Sequence, residues 1–134
     1  MTVTPVYAGV LTLVFVLLSL RVIGARRGAG VALGDGGDKA LLRRQRVHAN
    51  FAEYVPLALV LMLLAEQQGV ARPVLHGIGM ILVAGRLAHA LGVSREPERL
   101  VVRVIGMALT FTALITGALV NLGAGNILGA LLVR

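Results

Sequence analysis

The residues best suited to chemistry recur on one short stretch: Arg43, Arg46, Asn50 and Glu53, spaced i, i+3, i+7 and i+10. In an α-helix, at about 100° per residue, these four share one face. Tyr54 borders that face. Along it the groups run from cation to amide to carboxylate, entering an apolar run. An arginine fork holds a carboxylate and a glutamate holds an ammonium. The stripe therefore suits a small zwitterion carrying more than one carboxylate. Attraction to anionic lipid headgroups would account for Arg26, Arg27, Arg43 and Arg44. It would not account for Asn50 and Glu53, because headgroups require no buried amide and acid.

Three ionisable residues stand inside long apolar runs: Glu53, Arg86 and His89. Such residues are costly in a membrane and mark functional sites by default. Glu53 lies seven residues past Arg46, and Arg86 lies nine before Arg95, so the two sit at similar depth. A buried Glu53–Arg86 ion pair fixing helix register is the expectation. His89 is one turn from Arg86 and can share its site. His48 points roughly 200° away from Arg46 around its helix, and His76 stands near the far end of its run. Three histidines without clustered acids make no metal site. With no cysteine in the chain, thiolate nucleophiles, cysteine metal sites and disulfides are excluded.

The elements that position these residues follow from composition. Of 134 residues, 57% are hydrophobic and 14% charged, against about 25% charged in a soluble domain. The charges cluster and leave four long apolar segments, each near or above the roughly 20 residues that cross a bilayer. The runs do not alternate, which excludes barrel strands. The reading is a single all-α domain, an integral membrane four-helix bundle, with spans over about 3–22, 47–68, 73–94 and 102–132. The first apolar run has no basic residue before it, so it is expected to be a retained span rather than a cleaved signal.

The formal charge is +7. In a soluble protein that would suggest nucleic acid, but here it sits between the apolar runs. The connections 21–46 and 95–103 hold ten basic residues, against Arg72 and Arg134 on the other side. The positive-inside rule places those two loops in the cytoplasm and both termini outside. Asp38 is the expected N-cap of a helix running through Arg43 and Arg46 into the second span. Gly77, Gly79, Gly85, Gly106 and Gly117 are expected to serve close helix packing.

The stretch Arg46-Val47-His48-Ala49-Asn50-Phe51-Ala52-Glu53-Tyr54-Val55-Pro56 resembles the second-helix motif of the MAPEG family, the membrane-associated proteins of eicosanoid and glutathione metabolism. Ala25-Arg26-Arg27 is similar to the basic pair after that family's first helix, and Gly85-Arg86-Leu87-Ala88-His89 to its third-helix segment. The resemblance implies a homotrimer of four-helix protomers with glutathione bound between subunits at the cytoplasmic side. By position, it implies that Arg46, Asn50, Glu53 and Tyr54 bind glutathione. Arg26 or Arg27 would reach the glutathione carboxylates, and His89 and His48 would lie near it. Family enzymes hold the sulfur as thiolate with an arginine at the start of the fourth helix; Arg99 is the first match and Arg103 the second. Val93 stands near the place of the third-helix tyrosine of the eicosanoid enzymes, which argues against eicosanoid specificity.

The expected function is a glutathione-dependent transferase or peroxidase. Glutathione is the cosubstrate, and the electrophile is a lipophilic molecule from the bilayer. Arg43 and Arg86 join the binding set through the stripe and the shared depth. Membrane lipid is the surrounding partner, and neither nucleic acid nor metal is expected. A non-catalytic lipid-binding member of the same fold is the alternative, and a small multidrug exporter driven by a membrane glutamate is a third reading.

Overall fold

The computed structural model describes residues 2–123. They form four helices: α1 Thr4–Ala29, α2 Lys39–Gln67, α3 Arg72–Val93 and α4 Leu100–Asn121. The shortest have 22 residues, roughly 33 Å at 1.5 Å per residue, enough for a hydrocarbon core of about 30 Å. All four are long and apolar enough to cross a membrane, and the protein is an integral multi-pass membrane protein. Lipid-level apolar side chains lie open on the outside of the bundle, with Leu13 at 73% and Ile115 at 59% exposure. The expected continuation of the fourth span to 132, and Arg134, lie outside the described residues.

The helices run up and down, so one edge of the bundle carries the end of α1, the start of α2, the end of α3 and the start of α4. This is the basic edge. α1 continues helical through Arg21, Arg26 and Arg27, where the sequence suggested loop. It stops at Gly30, whose φ of 65° is left-handed and favours glycine. Asp38 caps α2 as expected, its carboxylate accepting from the N–H of Ala40 at 2.7 Å and of Leu41 at 3.1 Å.

The opposite edge is tied by polar groups. The start of α1 has no side-chain cap of its own. The Glu66 carboxylate, at the end of α2, accepts instead from the backbone N–H of Val3 and Thr4, each at 2.9 Å, and of Thr2. A carboxylate at the positive end of the α1 dipole is the favourable arrangement. Gln68 donates to Asn121 at 2.9 Å, and Asn121 donates to the Leu61 carbonyl at 2.9 Å.

In lipid, apolar burial does not drive helices together, so association depends on close packing of small residues. α3 and α4 form the most extensive pair, and α1 leans chiefly on α2. A Cβ on Gly106 would meet the Gly85 carbonyl oxygen at 2.8 Å, and one on Gly85 would meet that of Gly106 at 2.9 Å. One on Gly92 would meet the Arg103 Cα at 2.9 Å. Gly79 receives the Tyr7 ring and Gly117 receives Leu61. Gly77 differs from the other glycines singled out in the sequence: among the described residues nothing lies within 4 Å of its Cβ direction. Gly106→Ala should therefore cost about 1–3 kcal/mol by overpacking. Gly77→Ala should be neutral or stabilising by up to about 1 kcal/mol, since it only removes a helix glycine. Thermal unfolding of the two variants in detergent checks this; equal losses would mean that the α3–α4 approach is not the limiting contact.

Candidate functional site

The buried centre of the basic half is Arg86 on α3, 1% exposed. Its Nη2 donates to the Asn50 Oδ1 on α2 at 2.7 Å. Its Cζ stands 5.8 Å from the centre of the Tyr54 ring, a cation–π distance. Tyr54 meets Phe111 of α4 edge-on, with centroids 5.7 Å apart. The guanidinium thus joins α3 to α2, and the Tyr54 ring carries the contact on to α4. The direct Glu53–Arg86 ion pair expected from the sequence is not formed: among the described residues the ion pairs are Arg43–Glu96 and Arg103–Glu98. The physical reason is direction. A guanidinium at this depth extends toward the polar edge, and Asn50 lies one turn nearer that edge than Glu53.

Above Arg86 opens a cavity of about 730 Å³, within the roughly 300–1,000 Å³ that holds a small organic ligand. The α2 stripe forms one wall with Arg43, Arg46, Asn50 and Glu53; α3 adds His89, and the start of α4 adds Arg103. Lys39, Glu96 and Glu98 stand at its rim. Arg43 and Arg103 are engaged by Glu96 at 3.6 Å and Glu98 at 2.9 Å. Lys39, Arg46 and Glu53 belong to no ion pair among the described residues. That leaves two cations and one carboxylate for a ligand, the complement of a zwitterion with an added negative charge.

Two further features mark the cavity as built for polar contacts. His89 is 4% exposed, and its buried Nδ1 has no hydrogen-bond partner. The buried Nε of Arg43 is likewise unpartnered. Orphaned buried donors and acceptors are rare and call for an explanation. A polar ligand seated between α2 and α3 supplies one.

The other residues singled out in the sequence lie elsewhere. His48 faces α1: its Nε2 is 3.0 Å from the Ser19 hydroxyl and its ring stacks on Phe15 at 4.7 Å. Arg26 donates to the carbonyls of Ala32 at 3.1 Å and Gly34 at 3.0 Å, and with Arg27 it lines a separate surface hollow at the end of α1. Tyr54 and Arg86 lie beneath the cavity rather than on its wall. Arg99 is exposed at the N-cap of α4, its backbone N–H bound to the Gly92 carbonyl at 3.1 Å. Arg103, one turn further, is the fourth-helix arginine on the cavity wall. Sequence reasoning missed Lys39, Glu96, Glu98 and Gly92. Two acids inside the otherwise basic connection 95–103 were the available signal for Glu96 and Glu98.

A four-helix membrane bundle with a polar cavity at its basic edge, walled by an R-x-x-x-N-x-x-E stripe, defines the class. The chain belongs to the MAPEG family, whose family model matches residues 4–123. It is similar to the inner membrane protein YecN of Escherichia coli strain K12, 38% identical over 120 residues that cover 90% of each chain. YecN of Escherichia coli O6:H1 strain CFT073 matches to the same extent.

The Arg86 contacts separate the roles of Asn50 and Glu53. Asn50→Leu removes a hydrogen bond to a buried charge and should cost about 1.5–3 kcal/mol. Glu53→Gln touches a residue outside that contact and should stay within about 0.5 kcal/mol. Denaturant unfolding in micelles measures both, and a larger loss for Glu53→Gln would make Glu53 the true partner of Arg86.

Proposed function

We propose that the protein is a glutathione-dependent transferase or peroxidase that binds glutathione in the cavity between α2, α3 and α4. The observation that carries this reading is the convergence of the α2 stripe with His89 and Arg103 on a single cavity. Arg46 and Lys39 take one carboxylate and Arg43 the other, Glu53 takes the ammonium, and Asn50 and His89 bind the peptide groups. Arg103 holds the sulfur as thiolate. Free thiols have a pKa near 8.5, and a hydrogen bond to a charged group contributes about 1.5–3 kcal/mol. One arginine thus brings the pKa down by about one to two units. The thiolate attacks a lipophilic electrophile from the bilayer: a C–S bond forms as the leaving group departs with its electron pair. With a peroxide, the thiolate takes the distal oxygen as the O–O bond breaks, and the alkoxide departs with the electron pair and is protonated by water; a second glutathione thiolate then displaces hydroxide from the sulfenic acid to give the disulfide.

The basic edge is cytoplasmic in this proposal and both ends of the chain face outward, since ten basic residues lie in the connections at that edge. The assembly is a homotrimer, in which Arg26 and Arg27 of one copy serve the cavity of the next. Support for this comes from their position outside the cavity of their own chain.

The chemical test contrasts the two arginines. Arg103→Ala should lower the thiolate fraction of bound glutathione near neutral pH by about one order of magnitude, roughly 8- to 25-fold, following the shift above. Ultraviolet thiolate absorbance reads this directly, and transfer to an aromatic electrophile should fall in parallel and recover partly at high pH. Arg99→Ala should leave both near the native level. The reverse pattern would make Arg99 the activating residue. No thiolate signal in the native protein would leave the non-catalytic lipid-binding reading in its place.

A further inference from the structure

The two arginines at the mouth of the cavity are already neutralised by the chain itself. Arg103 Nη1 lies 2.9 Å from Glu98 Oε1, and Arg43 Nη2 lies 3.6 Å from Glu96 Oε1. Both acids come from the short segment between α3 and α4. That segment is closed at its base, where Ser94 N–H binds the Ala90 carbonyl at 3.1 Å and Arg99 N–H binds that of Gly92 at 3.1 Å. Arg43 also donates to the Arg95 carbonyl at 3.4 Å. Its backbone is pinned, while the side chains at its crest remain partly open, Glu96 at 62% and Glu98 at 29%. A carboxylate on a pinned backbone can swing away from its arginine and return.

We infer that residues 94–99 form an internal anionic latch, in which Glu98 and Glu96 stand in for the anionic groups of the ligand on Arg103 and Arg43. The inference rests on the proposed function of the cavity and deepens it. A ligand enters by exchange. It meets Lys39, Arg46 and Glu53, which are in no ion pair among the described residues, and displaces the two glutamates. Exchange favours a ligand with two separate anionic groups, such as a carboxylate and a thiolate, because each replaces one glutamate. A ligand with a single anionic group leaves one arginine in its internal pair and gains less. Glu98 is thus a positioning residue: it holds the Arg103 guanidinium at the cavity wall until a sulfur anion takes its place.

The test uses the full-length protein in detergent, with glutathione as probe. Partly exposed ion pairs contribute up to about 1 kcal/mol. Glu98→Gln and Glu96→Gln should therefore each tighten glutathione binding about two- to fivefold by calorimetry. Asp38→Asn is the control. It removes one negative charge from the same edge, keeps a good N-cap and touches neither arginine, so its affinity should match the native value. Labelling of Arg103 by phenylglyoxal, followed by peptide mass spectrometry without glutathione, should run about two- to fivefold faster in Glu98→Gln than in the native protein. Equal labelling rates overturn the latch, as does an equal gain in Asp38→Asn, which would reflect general charge. Faster labelling without glutathione binding to any variant upholds the latch and overturns the glutathione reading instead.

Discussion

The arrangement of the basic half depends on one buried guanidinium. Arg86 is almost fully enclosed, in a setting where an unpaired charge is costly. It must find polar contact on the helices that surround it, and it finds the Asn50 amide and the Tyr54 ring. Both are on α2, so the rotation of α2 about its axis is fixed. Once Asn50 points at α3, the helical period carries Arg43, Arg46 and Glu53 to the same cleft. The stripe faces α3 and α4 because its deepest amide is held by an arginine. Nε and Nη1 of Arg86 remain without partners, so this centre binds α2 firmly but is not saturated.

The second constraint is the distance between α3 and α4. Gly85, Gly92 and Gly106 bring the two backbones together at two levels. The upper level sets Arg103, whose backbone lies against Gly92 where a Cβ would intrude. The lower level seats the His89 backbone against Gly106. Both polar residues that α3 and α4 contribute to the cavity therefore stand at glycine contacts. The packing that replaces the missing hydrophobic drive in lipid also aims the polar groups.

These two constraints explain what the sequence disclosed. The spans were legible because hydropathy and helix length answer to bilayer thickness, and the Asp38 cap because capping is local. The α2 stripe was legible because its geometry lies within one helix. Contacts between helices were harder. The partner of Arg86 turned on the direction in which a long side chain extends, and depth alone favoured Glu53 over Asn50. Arg99 and Arg103 are one turn apart, and which lines the cavity depends on where α4 begins and how Gly92 lets it approach. His48 was read two ways; the structure sets it against Ser19 and Phe15, in keeping with its angle around the helix. Glu96 and Glu98 were passed over because loop acids carry no periodic signal.

Glu53 shows why such a site belongs at a membrane edge. It lies two turns inside α2 from Arg46, yet it is exposed within its own chain and lines the cavity. A carboxylate facing hydrocarbon at that depth would be neutralised or paired. Among the described residues Glu53 is in no ion pair, and it lines the cavity at the basic edge, which offers it a polar surrounding. The cavity is then a polar wedge between α2, α3 and α4, with the lipid-facing sides of the same helices only a helix diameter away. Under the proposed function, a water-soluble zwitterion and a molecule dissolved in the bilayer approach the same few side chains from opposite directions without either leaving its own phase. That juxtaposition needs no large domain, only a stripe of polar residues carried down one helix and an arginine beneath it to hold the stripe in place.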